Sequence, residues 1–536
     1  MYSQVKTGVL QGLSSEVVTV ETDLSPGLPA FTVVGLPDLS VREAKERIRT
    51  AILNSGYHFP AKRITINLAP AATKKEGTHF DLPIAMGVMI SMGYIKEEKM
   101  KEYAFLGELS LDGSVNRING ALPLVMGLRK HGIKKVILPA SNAKEASVIG
   151  DICLYPVTHL KEILEHMMTR NRIFPYENHQ SAIEIQQNPE TDFADVAGQE
   201  TVKRALQIAA AASHNVLLIG PPGAGKTMMA RRVPGILPSL TYEEKLEVTK
   251  IYSIAGELSE KKPLITERPF RSPHHTISAA ALVGGGSHPK PGEVSLAHFG
   301  VLFLDELPEF NRSVLEMLRQ PLEDEQVTIS RVKGTVTYPS KIMLLASMNP
   351  CPCGFYGDPT HECTCSIQQI RQYLSKLSGP LLDRMDMHIE IMPVPYQDLS
   401  DCSDGSYAGC SDGDYRGGSG GDHTCFSGAS VKDSGRMRLE VETARKIQLE
   451  RYKNEEISYN SQLTARLMKK YCAMDKESKA LLEIAYKKLS LSARAYHKII
   501  RLARTIADME EKQNIGQNHI AEAIQYRSLD KMFRGL

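Results

Sequence analysis

Residues 215–232 read NVLLIGPPGAGKTMMARR: an apolar run, a glycine-rich turn, and the start of a helix. The turn consists of Gly220, Pro221, Pro222, Gly223, Ala224, Gly225, Lys226 and Thr227 and fits the pattern G-x-x-x-x-G-K-T. With a strand before it and a helix after it, that pattern describes a loop that wraps a phosphate. Gly220, Gly223 and Gly225 let the backbone turn its amides inward without interference from a Cβ, and the following helix N-terminus favours negative charge. Lys226 is placed to reach the β and γ phosphates of ATP, and the Thr227 hydroxyl to ligate Mg²⁺. A strand, phosphate loop and helix in this order predict a parallel α/β sheet around them.

Further along, GVLFLDE at residues 300–306 is an apolar strand that ends in two acids. Chemistry in open α/β sheets collects at strand C-terminal ends, so Asp305 is the candidate Mg²⁺ holder and Glu306 the candidate group that polarises the attacking water. The alternative is that the pair merely caps the helix that follows. A third apolar strand, KIMLLASMN, ends at Asn349, whose amide would hold that water or sense the γ-phosphate, although an Asn in this place also serves as a turn residue. Arg384 and Arg494 are the remaining cations with a candidate role at the transition-state charge.

At 536 residues the chain exceeds what one hydrophobic core accommodates, and 42% hydrophobic with 24% charged residues is the balance of a globular protein. The formal charge of +2 gives no global basic field, so any nucleic-acid contact must be local. Neither a signal-peptide pattern nor an apolar run of membrane-spanning length is present, which predicts a cytoplasmic chain with no membrane partner. Residues 1–170 alternate strand-like and helix-like stretches as one α/β domain, and residues 171–191 read as a linker. Residues 192–397 form the sheet core. Residues 398–435 contain the repeat CSDGSY and CSDGDY amid glycines, with almost nothing to bury, and are expected to be a disordered insert. Residues 436–536 show helical spacing of apolar residues throughout and predict a helical bundle.

The order of phosphate loop, VLFLDE, ASMNPCPCG, SGPLLDRMD and LSARAYHKIIRLARTIAD resembles that of the YifB family of magnesium-chelatase-like AAA+ ATPases over essentially the whole chain. The resemblance implies that the loop is the Walker A motif, Asp305 and Glu306 the Walker B acids, and Asn349 the first sensor. It further implies that Arg384 is an arginine finger offered to a neighbouring subunit of a homo-oligomeric ring, usually a hexamer. Arg494 would be the second sensor on a C-terminal helical lid. The first domain resembles the Lon-protease-like fold, with His79 in KKEGTHFDLP where the nucleophilic Ser would stand and Leu122 in RINGALPL where the Lys would stand. Lacking nucleophile and base, that domain is expected to be proteolytically inactive. The activity implied is that of an ATP-driven helicase or branch-migration factor acting on single-stranded or branched DNA during recombination or transformation. The alternative is a chelatase-like or protein-complex remodeller.

Cys351, Cys353, Cys363 and Cys365 place four thiols within fifteen residues, a set suited to a structural Zn²⁺, with His361 as a rival fourth ligand. Reduced free thiols are the alternative. Cys402, Cys410 and Cys425 fall in the insert and are not expected to be ligands. Arg268, Arg271, His274, His275, His288 and Lys290 crowd a Gly-rich stretch, which the resemblance places near a central pore together with the hairpin that carries Arg331 and Lys333. Those two cations would contact DNA phosphates or else be solvated. Adjacent imidazoles on a strand face opposite ways, so the pair His274 and His275 is not expected to bind metal.

Overall fold

The computed structural model describes residues 1–168, 171–177, 192–259, 261–286, 289–331, 334–358, 361–394, 433–489 and 491–527. The first α/β unit is a seven-stranded mixed sheet in the order Ala30–Val34, Arg63–Ala69, Ser14–Ser25, Tyr2–Gln11, Tyr103–Phe105, Lys135–Pro139, Cys153–Val157. One helix on it, Asp81–Ser91, is buried at every residue, as its sequence DLPIAMGVMIS requires. The helix Leu39–Asn54 buries Val41, Ala44, Ile48, Ala51 and Ile52, a single stripe at helical spacing, and its N-cap Asp38 accepts from the Val41 amide. Arg47 joins the two helices by a forked pair onto Asp81, at 2.7 and 3.0 Å.

The second unit is built on five parallel strands in the order Phe270–Arg271, Val301–Leu304, Met343–Met348, Val216–Ile219, Met387–Glu390. The three central strands are buried throughout, which explains why they read as continuous apolar runs rather than alternating ones.

The C-terminal helices Ser434–Arg451, Ala465–Tyr471, Lys476–Lys488, Ala493–Met509 and Gln517–Gln525 share one hydrophobic core with that sheet. Helix Glu200–Ala212 is the hinge of this packing. Its small residues Ala209, Ala210, Ala211 and Ala212 are fully buried and let the C-terminal helices approach closely. Gln207 and Gln448 tie the contact by donating to the carbonyls of Met437 and Ala211. The last helical segment starts at Ser434, two residues before the expected limit, because Asp433 supplies the N-cap to the Arg436 amide. The remainder of the expected insert, with Cys402, Cys410 and Cys425, lies outside the described residues.

The first unit docks on helix Tyr242–Ala255 of the second. The Gly120 amide donates to the Ser253 carbonyl at 2.9 Å, and the Tyr242 hydroxyl to the Val148 carbonyl, also at 2.9 Å. At the centre of the joint, the buried carboxylate of Glu145 receives the Ser253 hydroxyl, the Leu122 amide and the Asn142 amide group, with Arg117 at 3.7 Å.

Candidate nucleotide site

Strand Val216–Ile219 delivers the glycine-rich loop to the carboxyl end of the sheet, and helix Lys226–Ile236 leads away from it. A Cβ on Gly220 would lie 2.3 Å from the Ile391 carbonyl oxygen, and Gly223 and Gly225 hold φ of +79° and +87°, so the loop demands glycine at each of these positions. Lys226 folds back over the loop. Its Nζ donates to the carbonyls of Gly220 and Pro221 at 2.6 and 2.9 Å and to Oδ1 of Asn349 at 2.8 Å. Burial pulls this ammonium below its ordinary range, and Asp305 and Glu306 oppose the pull. The sequence-predicted partners Lys226 and Asn349 are thus brought into direct contact.

Thr227 Oγ1 donates to Asp305 Oδ2 at 2.7 Å, and the Ser347 hydroxyl donates to the other Asp305 oxygen. Thr227 and Asp305 together form an all-oxygen donor set suited to a hard divalent cation. Ser347 escaped the sequence reading, although it lies two residues before Asn349 and so on the same face of the strand. Glu306 is not engaged with Thr227. Its backbone takes φ of +52° at the strand end, its amide donates to Asp305 Oδ1 at 3.1 Å, and its carboxylate stands 62% exposed. The His275 ring lies beside it, with Nδ1 at 4.0 Å from Oε2.

Arg384 and Arg494 sit together, but at the other end of the sheet. Arg384 is ion-paired with Glu323, its carbonyl accepts from Asn215 Nδ2 at 3.1 Å, and Arg494 reaches Asp383 at 3.3 Å. Asn215 precedes strand Val216–Ile219 and Gly220 follows it, so both arginines are remote from the phosphate loop of their own chain. They line a cleft of about 570 Å³ between sheet and C-terminal helices. Burial lowers the Arg384 pKa, with Arg494 and Arg319 adding to the effect, and Arg384 Nε has no hydrogen-bond partner among the described residues.

Several residues take structural places. Arg268 is spent on the carbonyls of Pro238 and Phe299 and on Glu244, and Arg271 on Glu293 and Glu257, so neither is a free pore cation. The residues following strand Phe270–Arg271 leave the sheet, so His274 and His275 do not point to opposite faces. Their rings lie 4.0 Å apart, and His274 faces Thr276. The hairpin Gln326–Arg331 and Gly334–Pro339 forms as expected. Lys333 and His288 lie outside the described residues, and the side chain of Arg331 is not described.

The four cysteines Cys351, Cys353, Cys363 and Cys365 converge, with ligand atoms all within 4.8 Å of one another. His361 stacks on Phe355 at 4.9 Å, beside Asp358, and does not take a place in the group.

In the first unit His79 is buried, with Nε2 at 2.9 Å from the Gly8 carbonyl oxygen, and Leu122 is wholly buried. Burial pushes the imidazole down to about 4, against the Gly8 carbonyl, which raises it. An unfolded chain binds this proton below an ordinary value of 6.5, whereas the folded chain does not until pH nears 4. The contribution of His79 to stability is therefore lost as pH falls through that window. Asp81, pushed up to about 6 by burial despite Arg47, has the opposite sign. His79→Gln leaves Asp81 in place, so the difference between the two proteins isolates the imidazole. Thermal unfolding from pH 7 to pH 4 is expected to fall less steeply in His79→Gln, and equal slopes would contradict a neutral buried ring.

Comparison with known proteins agrees with this geometry. The family model described as magnesium chelatase, subunit ChlI, matches residues 192–399. The models for subunit ChlI of Mg-chelatase and for the ChlI C-terminal region match residues 20–142 and 431–527. The competence protein ComM of Haemophilus influenzae is 40% identical over 540 residues, covering 100% of this chain and 98% of its own length. The uncharacterized protein YifB of Escherichia coli is 40% identical over 99% of this chain and 98% of its own length. A Lon protease of Rhizobium meliloti is 29% identical over 182 residues, 31% of this chain and 22% of that protein. With its parallel-sheet core, helical C-terminal region and Lon-like first unit, the chain belongs to the YifB and ComM family of magnesium-chelatase-like AAA+ proteins.

Proposed function

We propose that this protein is an ATP-driven motor that works on DNA as a homo-oligomeric ring, most simply a hexamer. The observation that carries the reading is the division of one ATPase site between the two ends of the sheet. Lys226, Thr227, Asp305, Glu306 and Asn349 gather at one end of the sheet, and Arg384 and Arg494 wait at the other. ATP seated on the loop at residues 220–227 would have its β and γ phosphates met by Lys226, with Thr227 and Asp305 holding Mg²⁺. The metal supplies neutralisation of phosphate charge when bound. Glu306 orients and deprotonates the attacking water, Asn349 fixes its position, and the two arginines of an adjoining subunit stabilise the charge that develops on the transferred phosphoryl group.

On this reading residues 1–170 are a proteolytically silent platform, residues 192–397 the ATPase core, and residues 436–536 the lid. Burial of His79 and Leu122 supports the loss of peptidase chemistry, since Leu122 has no basic group and the His79 imidazole is enclosed, with Nε2 held by the Gly8 carbonyl. The four thiols hold a structural Zn²⁺. Among the described residues no helix is long and apolar enough to cross a membrane, and a cytoplasmic setting is part of the proposal.

DNA as the track rests on the family and on the name of the competence protein ComM. It is tested by ATP turnover with no DNA and with single-stranded, duplex and branched DNA. Turnover is expected to rise several-fold with single-stranded or branched DNA, and the affinity to fall linearly on a log–log plot against salt as phosphate contacts are screened. If no DNA binds or stimulates, the helicase reading is lost and remodelling of protein complexes takes its place.

A further inference from the structure

The cysteine group is not an appendage to the nucleotide site. The Sγ atoms of Cys351, Cys353 and Cys363 are 3.2, 3.6 and 3.7 Å apart, and no disulfide joins them. A tetrahedron of Zn–S bonds of roughly 2.3 Å has edges of about 3.8 Å, so the thiols stand close to the spacing that the metal imposes.

Two stretches of chain leave this group, and both return to the site. The first runs back from Cys351 through Pro350 to Asn349, which receives the Lys226 ammonium. Just past Cys353, Gly354, with φ of +91°, closes a turn by donating to the Cys351 carbonyl at 3.0 Å and lies against the phosphate loop. A Cβ there would fall 2.5 Å from Cδ of Pro222. The second stretch runs from Cys365 into Ser366, which forms a capping box with Gln369 at the start of helix Ile367–Leu374. That helix buries Tyr373, whose hydroxyl faces the backbone of Asn349. The chain therefore describes a closed circuit: Asn349, the first cysteine pair, the second pair, the helix, Tyr373, and Asn349 again. The two cysteine pairs are joined through residues 354–362 and by thiol contacts of 3.6 and 3.7 Å, the weakest cross-link of the circuit.

We propose that a single Zn²⁺ bound by Cys351, Cys353, Cys363 and Cys365 closes this circuit, and that its occupancy controls how tightly the phosphate loop holds ATP. Without the metal the two cysteine pairs are tied only by the intervening residues 354–362 and by weak thiol contacts, and they are free to shift against each other. Asn349 then loses its fixed place opposite Lys226, and Pro222 loses the backbone it rests on. The inference rests on the reading of residues 220–227 as the ATP loop.

The test uses the full chain, measuring zinc by metal analysis and nucleotide affinity with a fluorescent ATP analogue in constant Mg²⁺. Measurements are made on the protein as purified, after a zinc-selective chelator, and after zinc is restored. One zinc per chain, an affinity at least tenfold weaker after chelation, and recovery on restoring zinc are expected. Cys363→Ser is expected to lose both zinc and affinity. Tyr373→Phe leaves all four thiols in place and severs only the return link, so it should keep its zinc while binding the analogue severalfold more weakly; it serves if the cysteine variant does not fold. Stoichiometric zinc with affinity unchanged on its removal overturns the coupling, and absence of zinc from protein with four reduced thiols overturns the metal site. A zinc-loaded chain that binds no ATP refutes the nucleotide reading instead and leaves the metal site standing.

Discussion

Replacing Glu306 with Gln is expected to leave ATP bound and Mg²⁺ held while hydrolysis falls by about 10² to 10⁴, the contribution typical of a positioned general base. The two neighbouring acids do different work because the fold gives them different surroundings. Asp305 has both oxygens occupied, one by Thr227 and one by Ser347, and so belongs to the binding apparatus. Glu306 is turned away by its left-handed backbone and keeps its carboxylate open, with the His275 ring at 4.0 Å. An amide at position 306 preserves size and hydrogen bonding but has no affinity for a proton. Single-turnover hydrolysis together with analogue binding distinguishes the cases. A rate within tenfold of the parent would show that Glu306 is not the base, and lost nucleotide affinity would show that the two acids share the metal.

The second large effect is one that a single subunit does not display. Arg384→Ala should bind ATP normally yet lose turnover by about 10³ to 10⁵, the range for an arginine supplied across an interface. Lys226→Ala should be inactive for the opposite reason, through failure to hold the phosphates. Mixed in equal amounts, the two inactive proteins are expected to regain activity. Random assembly brings the intact loop of one beside the intact arginine of the other at roughly a quarter of interfaces. Mixed assemblies that form but stay silent would place Arg384 outside the reaction. Its position beyond Asn215, at the far end of the strand from Gly220, makes the complementation a direct test of geometry.

The phosphate loop and the strands that end at Asp305 and Asn349 were legible in the sequence because each is a short apolar run closed by residues with distinctive chemistry. The edge strands Phe270–Arg271 and Met387–Glu390 were not singled out. The first is two residues long, and the second is interrupted by a histidine, so neither gives a periodic signal. Ser347 was hidden for another reason. A hydroxyl within an apolar strand becomes meaningful only once the register sets it beside Asp305. The resemblance places Arg268 and Arg271 near a pore, whereas the pairing of Arg268 with Glu244 and the forked pairing of Arg271 with Glu293 are matters of packing that spacing does not encode. Four closely spaced cysteines, by contrast, need little folding to meet, and their convergence was readable at once. The placing of Arg384 and Arg494 side by side in one cleft, far from the phosphate loop of their own chain, follows from the path of the C-terminal helices and had no local signature.

The joint around Glu145 has a mechanical consequence. Its carboxylate is almost wholly buried, and its partners come from both units: the Leu122 amide and Asn142 on one side, the Ser253 hydroxyl on the other. Separating the units would cost Glu145 the Ser253 donor while leaving it Leu122, Asn142 and Arg117, a loss of about 1.5 to 3 kcal/mol for a hydrogen bond to a charged group. Leu122, which the likeness to Lon proteases sets against a lysine, gives its backbone amide to this joint. Helix Tyr242–Ala255 thus meets the first unit at Gly120, Glu145 and Val148, so a shift of that helix would bear directly on the seven-stranded unit. The first unit is held to the core by direct contacts and not by the connecting chain alone.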